Sequence, residues 1–155
     1  MTAAALLQVT WAPRVEVAGA FPNLVLIAVV AIAWCFGARM GMLWACAGGI
    51  LLDLTAAGPV GPHALALLCG AYLTGMWVRN VHRDGALHAV LAAALSTAVY
   101  SLVLIGADDT LGLPVPPLVV AVQLTVAACV YNAALTPLGL ALVRRAGAAS
   151  VEAAS

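Results

Sequence analysis

Five long apolar runs dominate the sequence and restrict what it can fold into. They cover approximately residues 23–38, 41–57, 63–78, 86–106 and 118–143. Apolar positions within the runs are consecutive and do not alternate with polar ones, as they would in the strands of a membrane barrel. Two runs, 23–38 and 63–78, are close to the short limit of about 17–25 residues for a membrane-spanning helix. The pattern therefore predicts helices of roughly membrane-spanning length.

The composition indicates that lipid surrounds these runs. Hydrophobic residues make up 65% of the 155 residues and charged residues 8%. A soluble domain of this length needs more polar surface than that. In lipid every backbone N–H and C=O group must be paired within the protein, which favours helices. We predict an all-α fold, a polytopic membrane bundle of five or six transmembrane helices, forming a single integral membrane domain over residues 1–155.

The two ends of the chain differ from the five runs. Residues 1–12 are mostly apolar and do not open with a basic region, which argues against a cleaved signal peptide. Pro13 ends this run. Eleven helical residues reach only about 16 Å, half the hydrocarbon thickness. We expect a partial or truncated first helix over residues 1–12 and a cytoplasmic tail over residues 146–155.

Arginine positions predict the orientation. If six segments alternate from a cytoplasmic N-terminus, one arginine, Arg14, lies outside and five lie inside. The five are Arg39, Arg79, Arg83, Arg144 and Arg145. With five spans the N-terminus moves outside and the other loops keep their sides. Both arrangements place the C-terminus in the cytoplasm.

Several functional classes do not fit the sequence. There is no lysine and no basic patch with interleaved aromatic residues, so nucleic acid is not an expected partner. Four cysteines fall singly in different runs, without the close pairing of a zinc site, and are expected to be small buried apolar side chains. No nucleophile, base and orienting group can be combined into a specific site. We predict no catalytic residue, no metal ligand and no cofactor.

A stripe of small residues leads to one acid in the second run. Gly41, Ala45, Gly49, Asp53 and Ala57 follow one another at steps of four, which places them on one slowly turning face of a helix. Small side chains let a neighbouring helix approach closely. The Asp53 carboxylate should face the bundle, a partner protein or a wet cavity, because exposure to lipid is costly. It is either a hydrogen-bond acceptor satisfied by nearby helix starts or hydroxyls, or a polar functional site.

The last run contains a second candidate packing site. Pro137 removes one backbone hydrogen bond and frees the carbonyl of Ala133, which predicts a kink. Asn132 could satisfy a freed group or bond to another helix. Together with the stripe, these residues are the partner or packing candidates: Gly41, Ala45, Gly49, Asp53, Asn132 and Pro137.

The order of these features resembles the bacterial rod shape-determining protein MreD family. The resemblance covers approximately residues 15–145. It is carried by the proline before the run 23–38, the short arginine-containing link at Arg39, the Gly-rich approach to Leu52-Asp53-Leu54, the turn Gly58-Pro59-Val60-Gly61, and Asn132 before Pro137. One departure is Asn23, where the family commonly has an aspartate after the proline.

The resemblance implies a multi-pass protein of the bacterial cytoplasmic (inner) membrane with no reaction of its own. It also implies a role as a non-enzymatic scaffold of the wall-elongation machinery, which supports cell shape and peptidoglycan synthesis. The implied partners are MreC, which has one membrane helix, the RodA glycan polymerase with its transpeptidase, the MreB cytoskeleton, directly or indirectly, and membrane lipids. The fold of the family is similar to the substrate-binding subunits of energy-coupling-factor transporters. A vitamin-binding subunit of such a transporter is therefore the alternative function.

Overall fold

The computed structural model describes residues 22–56, 58–80 and 86–152 and contains five helices there. They are α1 (Leu24–Phe36), α2 (Ala38–Thr55), α3 (Pro62–Asn80), α4 (Ala86–Thr110) and α5 (Leu118–Glu152). No strand occurs in these ranges. The all-α prediction is confirmed. Some of the predictions fall outside the described residues. They concern the segment 1–12, Arg14, Ala57, Arg83 and the last three residues of the expected tail, 153–155.

Helix α1 is the centre of the bundle and packs against each of the other four helices. It is only 13 residues long but apolar on every side, which is the pattern of a helix that is buried all round. Val25, Val29, Val30 and Ala33 are completely buried. The remaining contacts follow chain order, α2 with α3, α3 with α4 and α4 with α5.

Proline and glycine mark the boundaries of the helices. Pro62 is the first residue of α3 and Pro117 directly precedes α5, positions where a missing N–H group leaves no helical bond unmade. Gly37 separates α1 from α2 with a φ of 92°, which a residue with a side chain rarely adopts. Helix α5 continues through residues 146–152 of the expected tail.

Two helices in the described ranges are long and apolar enough to cross a membrane, over Leu87–Thr110 and Leu118–Gly147. Helix α1 is apolar but shorter. Most of the surface of α5 is exposed, and its exposed side chains are largely apolar. The expectation of buried cysteines is wrong: Cys46 is exposed and Cys35, Cys69 and Cys129 are half-buried. Apolar surface next to lipid has no need of burial, so a small thiol can lie on the outside of such a bundle.

Candidate functional site

The Asp53 carboxylate binds the first turn of α3. Its Oδ2 atom accepts hydrogen bonds from the N–H groups of Gly61 (2.9 Å) and Ala64 (3.2 Å). Its Oδ1 atom accepts one from the N–H group of His63 (3.0 Å). Pro62, between them, has no N–H group. One carboxylate thus satisfies the N–H groups that the start of α3 leaves without helical partners.

The imidazole of His63 adds a fourth contact. Its Nδ1 atom lies 2.9 Å from Asp53 Oδ1. An ionised carboxylate can only accept, so Nδ1 carries the hydrogen and donates it. The Asp53 side chain is 0% exposed and that of His63 is 28% exposed. We call this group of Asp53, Gly61, His63 and Ala64 the Asp53 cap.

Local sequence explains why α3 needs an acceptor from another helix. Gly61 occupies the residue before the helix and has no side chain with which to cap it. Its φ of 130° is also one that favours glycine. A carboxylate at a helix N-terminus gains from the helix dipole as well as from charge-assisted hydrogen bonds. Asp53, near the end of α2, supplies that carboxylate.

Gly49 allows the two helices to come close enough for the cap to form. A Cβ atom added at Gly49 would lie 2.2 Å from Ala64 Cα and 2.7 Å from Ala64 N. Both atoms belong to the turn of α3 that Asp53 binds. Asp53 itself lies one helical turn after Gly49 on α2. A side chain at residue 49 would therefore force α2 and α3 apart at the cap.

The other small residues of the stripe also pack inside the protein. A Cβ atom at Gly41 would lie 2.5 Å from Ala33 Cβ on α1, and Ala45 is 0% exposed. Gly41, Ala45, Gly49 and Asp53 are all buried among the helices of this chain. The stripe is thus a place of close contact between α2 and its neighbours α1 and α3.

Asn132 forms a second polar group in the middle of α5. Its Oδ1 atom accepts a hydrogen bond from the N–H group of Asn23 (2.9 Å), and its Nδ2 atom donates to Thr97 Oγ1 on α4 (3.1 Å). Thr97 Oγ1 in turn donates to the carbonyl of Ala93 (2.7 Å). Asn132 therefore bonds across to two other elements of the bundle.

The neighbours of Asn132 complete this group. Thr136 Oγ1 donates to the carbonyl of Asn132 (2.6 Å). Asn23 Oδ1 accepts from the N–H group of Leu26 (2.9 Å), so Asn23 caps the start of α1. Asn23, Thr97, Asn132 and Thr136 are called the Asn132 link below. The amide oxygen of Asn23 thus caps α1 while its backbone N–H group binds Asn132.

Tyr100 lies between the two groups. Its ring centroid is 6.3 Å from that of His63. The side chains of Asn23 and Asp53 are polar neighbours of its hydroxyl. The Asp53 cap and the Asn132 link are thus neighbours that together join parts of all five helices.

Sequence reasoning named Asp53 and Asn132, and it offered helix starts or hydroxyls as donors to Asp53, but it did not identify the residues that bind either side chain. The spacing of eight to eleven residues between Asp53 and its donors depends on the turn between α2 and α3. Gly61 followed by Pro62 could have indicated the donors, because a helix that starts there has no capping side chain of its own and needs an acceptor from elsewhere. His63, Thr97 and Tyr100 gave no comparable signal. Of the six packing candidates, Pro137 is exposed and the other five are buried.

Groups of three or more potential metal-binding side chains were not found among the described residues. Buried hydroxyls instead pair helices: Ser96 Oγ on α4 donates to the carbonyl of Gly70 on α3 (3.0 Å) and lies 2.9 Å from Thr74 Oγ1. This pair holds α3 against α4. The side chains of Asp53, Ser96 and Asn132 therefore each form a contact between helices.

Comparison with known families matches residues 1–137 to the rod shape-determining protein MreD family. No curated relative matches the chain. No solved structure matches it either.

Proposed function

The chain belongs to the rod shape-determining protein MreD family, and on that premise we propose that it is a non-enzymatic scaffold subunit of the bacterial wall-elongation complex. In this role it supports cell shape and peptidoglycan synthesis by holding other membrane proteins in place. Its principal partner is a single-span protein of the MreC type. The RodA glycan polymerase, its transpeptidase and the MreB cytoskeleton join the same assembly.

The saturation of Asp53 is the observation that carries this proposal. Each of its carboxylate oxygens accepts two hydrogen bonds, and all four donors belong to Gly61, His63 or Ala64. A general base or a ligand site needs an oxygen available to a substrate. A carboxylate with four internal donors instead stabilises one fixed arrangement of α2 and α3. This use of the acid suits a scaffold, whose work is to present a constant surface.

We further propose that the protein crosses the cytoplasmic membrane several times with its C-terminus inside. The distribution of charge supports this orientation. Arg39, Arg79, Arg144 and Arg145 belong to the end of the bundle where α1 ends and α2 begins. Gly75, near the end of α3, approaches Ala38, and Gly147 approaches Phe36. An excess of arginine on one side is typical of the cytoplasmic face.

Affinity purification from the host in a mild detergent tests the function. The proteins and small molecules that copurify are identified by mass spectrometry. The expected result is a single-span protein, with or without a glycan polymerase and a transpeptidase. Recovery of ATPases with a stoichiometric vitamin-like ligand would contradict the proposal and favour the energy-coupling-factor alternative.

Two variants make the test specific for the role of Asp53. D53N keeps the size of the side chain and removes its charge, so the cap is weakened and less partner should be recovered. D109N changes an exposed aspartate in the last turn of α4 and should leave recovery unchanged. Equal recovery with both variants, and a normal cell shape with both, would show that assembly does not depend on the cap.

A further inference from the structure

Two arginines meet at one end of the contact between α2 and α3. Gly75 of α3 lies directly against Ala38 of α2, since a Cβ atom added at Gly75 would overlap the side chain of Ala38. Arg39 is the next residue of α2, and Arg79 lies four residues after Gly75 on α3. A step of four keeps Arg79 on nearly the same side of its helix as Gly75. Arg39 and Arg79 are therefore neighbours across the two helices.

No acidic side chain within the described part of the chain balances these two arginines. Both guanidinium groups are exposed, and the one ion pair found among the described side chains joins His63 to Asp53. Asp53 lies fourteen positions after Arg39 on α2, about 21 Å away along the helix. Asp108 and Asp109, in the last turn of α4, belong to that same distant end of the bundle. Two neighbouring guanidinium groups repel each other and therefore favour an anion between them.

An exposed apolar surface begins directly beside the two arginines. On α2, Leu43 lies one helical turn after Arg39 and is 60% exposed. On α3, Met76 lies one turn before Arg79 and is 44% exposed. Helix α1 packs against α2 and α3 from the other side. We call the surface formed by Arg39, Leu43, Met76 and Arg79 the α2–α3 face.

Two cations next to apolar side chains match the chemistry of an anionic phospholipid. A guanidinium group forms paired, charge-assisted hydrogen bonds with phosphate oxygens. The acyl chains of the same molecule cover exposed leucine and methionine side chains. An acidic peptide or a soluble anion would match the arginines but would leave the apolar part of the face uncovered. Charge and apolar surface together therefore favour a lipid over a water-soluble ligand.

From these observations we propose that the α2–α3 face binds one anionic phospholipid, with its phosphate between Arg39 and Arg79 and its acyl chains along Leu43 and Met76. The cytoplasmic leaflet supplies this lipid, given the proposed orientation of the bundle. Each arginine near a membrane surface strengthens such binding about fivefold. The inference goes beyond the scaffold role and needs none of the scaffold's protein partners.

Lipid binding to the purified full-length chain tests the proposal. Phosphatidylglycerol or phosphatidylcholine with the same acyl chains is added in a mild detergent, and the bound fraction is measured by native mass spectrometry. Phosphatidylglycerol should bind more tightly, because the positive choline group opposes the arginines. R39Q/R79Q should weaken its binding about thirtyfold, which is about fivefold for each arginine. Equal affinity for the two lipids, or unchanged binding by R39Q/R79Q, would overturn the proposal.

R144Q/R145Q is the matched control. It removes the same charge from two exposed arginines of α5 at the same end of the bundle. It should weaken phosphatidylglycerol binding far less than R39Q/R79Q does, and both variants should melt at the temperature of the unmodified protein when no lipid is added. Added phosphatidylglycerol should raise the melting temperature of the unmodified protein and of R144Q/R145Q more than that of R39Q/R79Q. Equal losses of binding in the two variants would show a general attraction to the basic end and would overturn the site on α2 and α3.

Two further measurements distinguish a bound lipid from other occupants. Inorganic phosphate, added at the same concentration as phosphatidylglycerol, should not displace the lipid, because it does not cover the apolar surface. Complete displacement would indicate a site for soluble anions instead. A benzoylphenylalanine at Leu43 should give a phospholipid adduct on illumination of host membranes. An adduct with another protein or with a second copy of this chain would overturn the proposal, whereas the scaffold function is tested separately by the copurified proteins.

Discussion

The Asp53 cap and the Asn132 link join helices by different means. In the Asp53 cap, a charged group from one helix satisfies backbone N–H groups at the start of the next, and all four contacts converge on one carboxylate. The Asn132 link uses neutral groups, with single hydrogen bonds distributed over three elements. The first arrangement concentrates stabilisation in one side chain, whereas the second spreads it over several. Substitutions should therefore affect the two groups to different extents.

The largest effect is expected from D53A. It leaves three half-buried N–H groups at the start of α3, those of Gly61, His63 and Ala64, without their acceptor, at about 1–3 kcal/mol for each group that water cannot reach. We expect a loss of about 3–5 kcal/mol in the free energy of unfolding, measured by denaturation in mixed micelles. D109A, at an exposed aspartate, is the control. A loss below about 1 kcal/mol for D53A would mean that the N–H groups find other acceptors.

G49A should have the next largest effect. Its new Cβ would meet the backbone of Ala64, so α2 and α3 have to separate at the Asp53 cap. Overpacking of this kind costs about 1–3 kcal/mol, and contact with backbone places the expected loss near the upper end. The control is G106A in α4, where a Cβ meets nothing within 4 Å. Comparable melting temperatures for the two variants would contradict the close approach at Gly49.

N132L is expected to have a smaller effect. It removes two side-chain hydrogen bonds, and polar contacts between membrane helices average about 0.6 kcal/mol each. The expected loss is about 1 kcal/mol in the same unfolding measurement. Combination with T97V should then add less than T97V does alone, because the shared hydrogen bond is already lost. Full additivity would show that the two residues do not interact.

S96A should have the smallest effect. Ser96 donates to the carbonyl of Gly70 and pairs with Thr74, which bonds α3 to α4 at one level. We expect a loss of about 0.5–1 kcal/mol in the free energy of unfolding. S101A, at a half-buried hydroxyl on the same helix, serves as the matched control. If S96A lowered the free energy of unfolding as much as D53A does, the charged contact at Asp53 would not be stronger than the neutral contact at Ser96.

Much of the architecture could be predicted from local sequence. Unbroken apolar runs predict helices because lipid offers the backbone no hydrogen-bond partners. Pro62 and Pro117 predict helix starts, since a residue without an N–H group fits there. The spacing of Gly41, Ala45 and Gly49 predicts a packing face. All of these depend on residues close together in the chain.

Other features could not be predicted, because they depend on which helices meet. The stripe alone did not indicate whether α1, α3 or another protein covers it. The partners of Asn132 lie 35 and 109 positions away in sequence, at Thr97 and Asn23. His63 became a partner of Asp53 only through the turn between α2 and α3.

The sequence by itself determined that this chain forms apolar helices, where they start and which of their faces carry small or polar residues, because those properties follow from local hydrogen bonding and from solvation by lipid. Only the tertiary structure decided how the polar groups pair. It placed the Asp53 carboxylate on the first turn of α3, joined α4 and α5 through Asn132, and left most of the surface of α5 exposed. These outcomes depend on distances between helices, which no local pattern fixes.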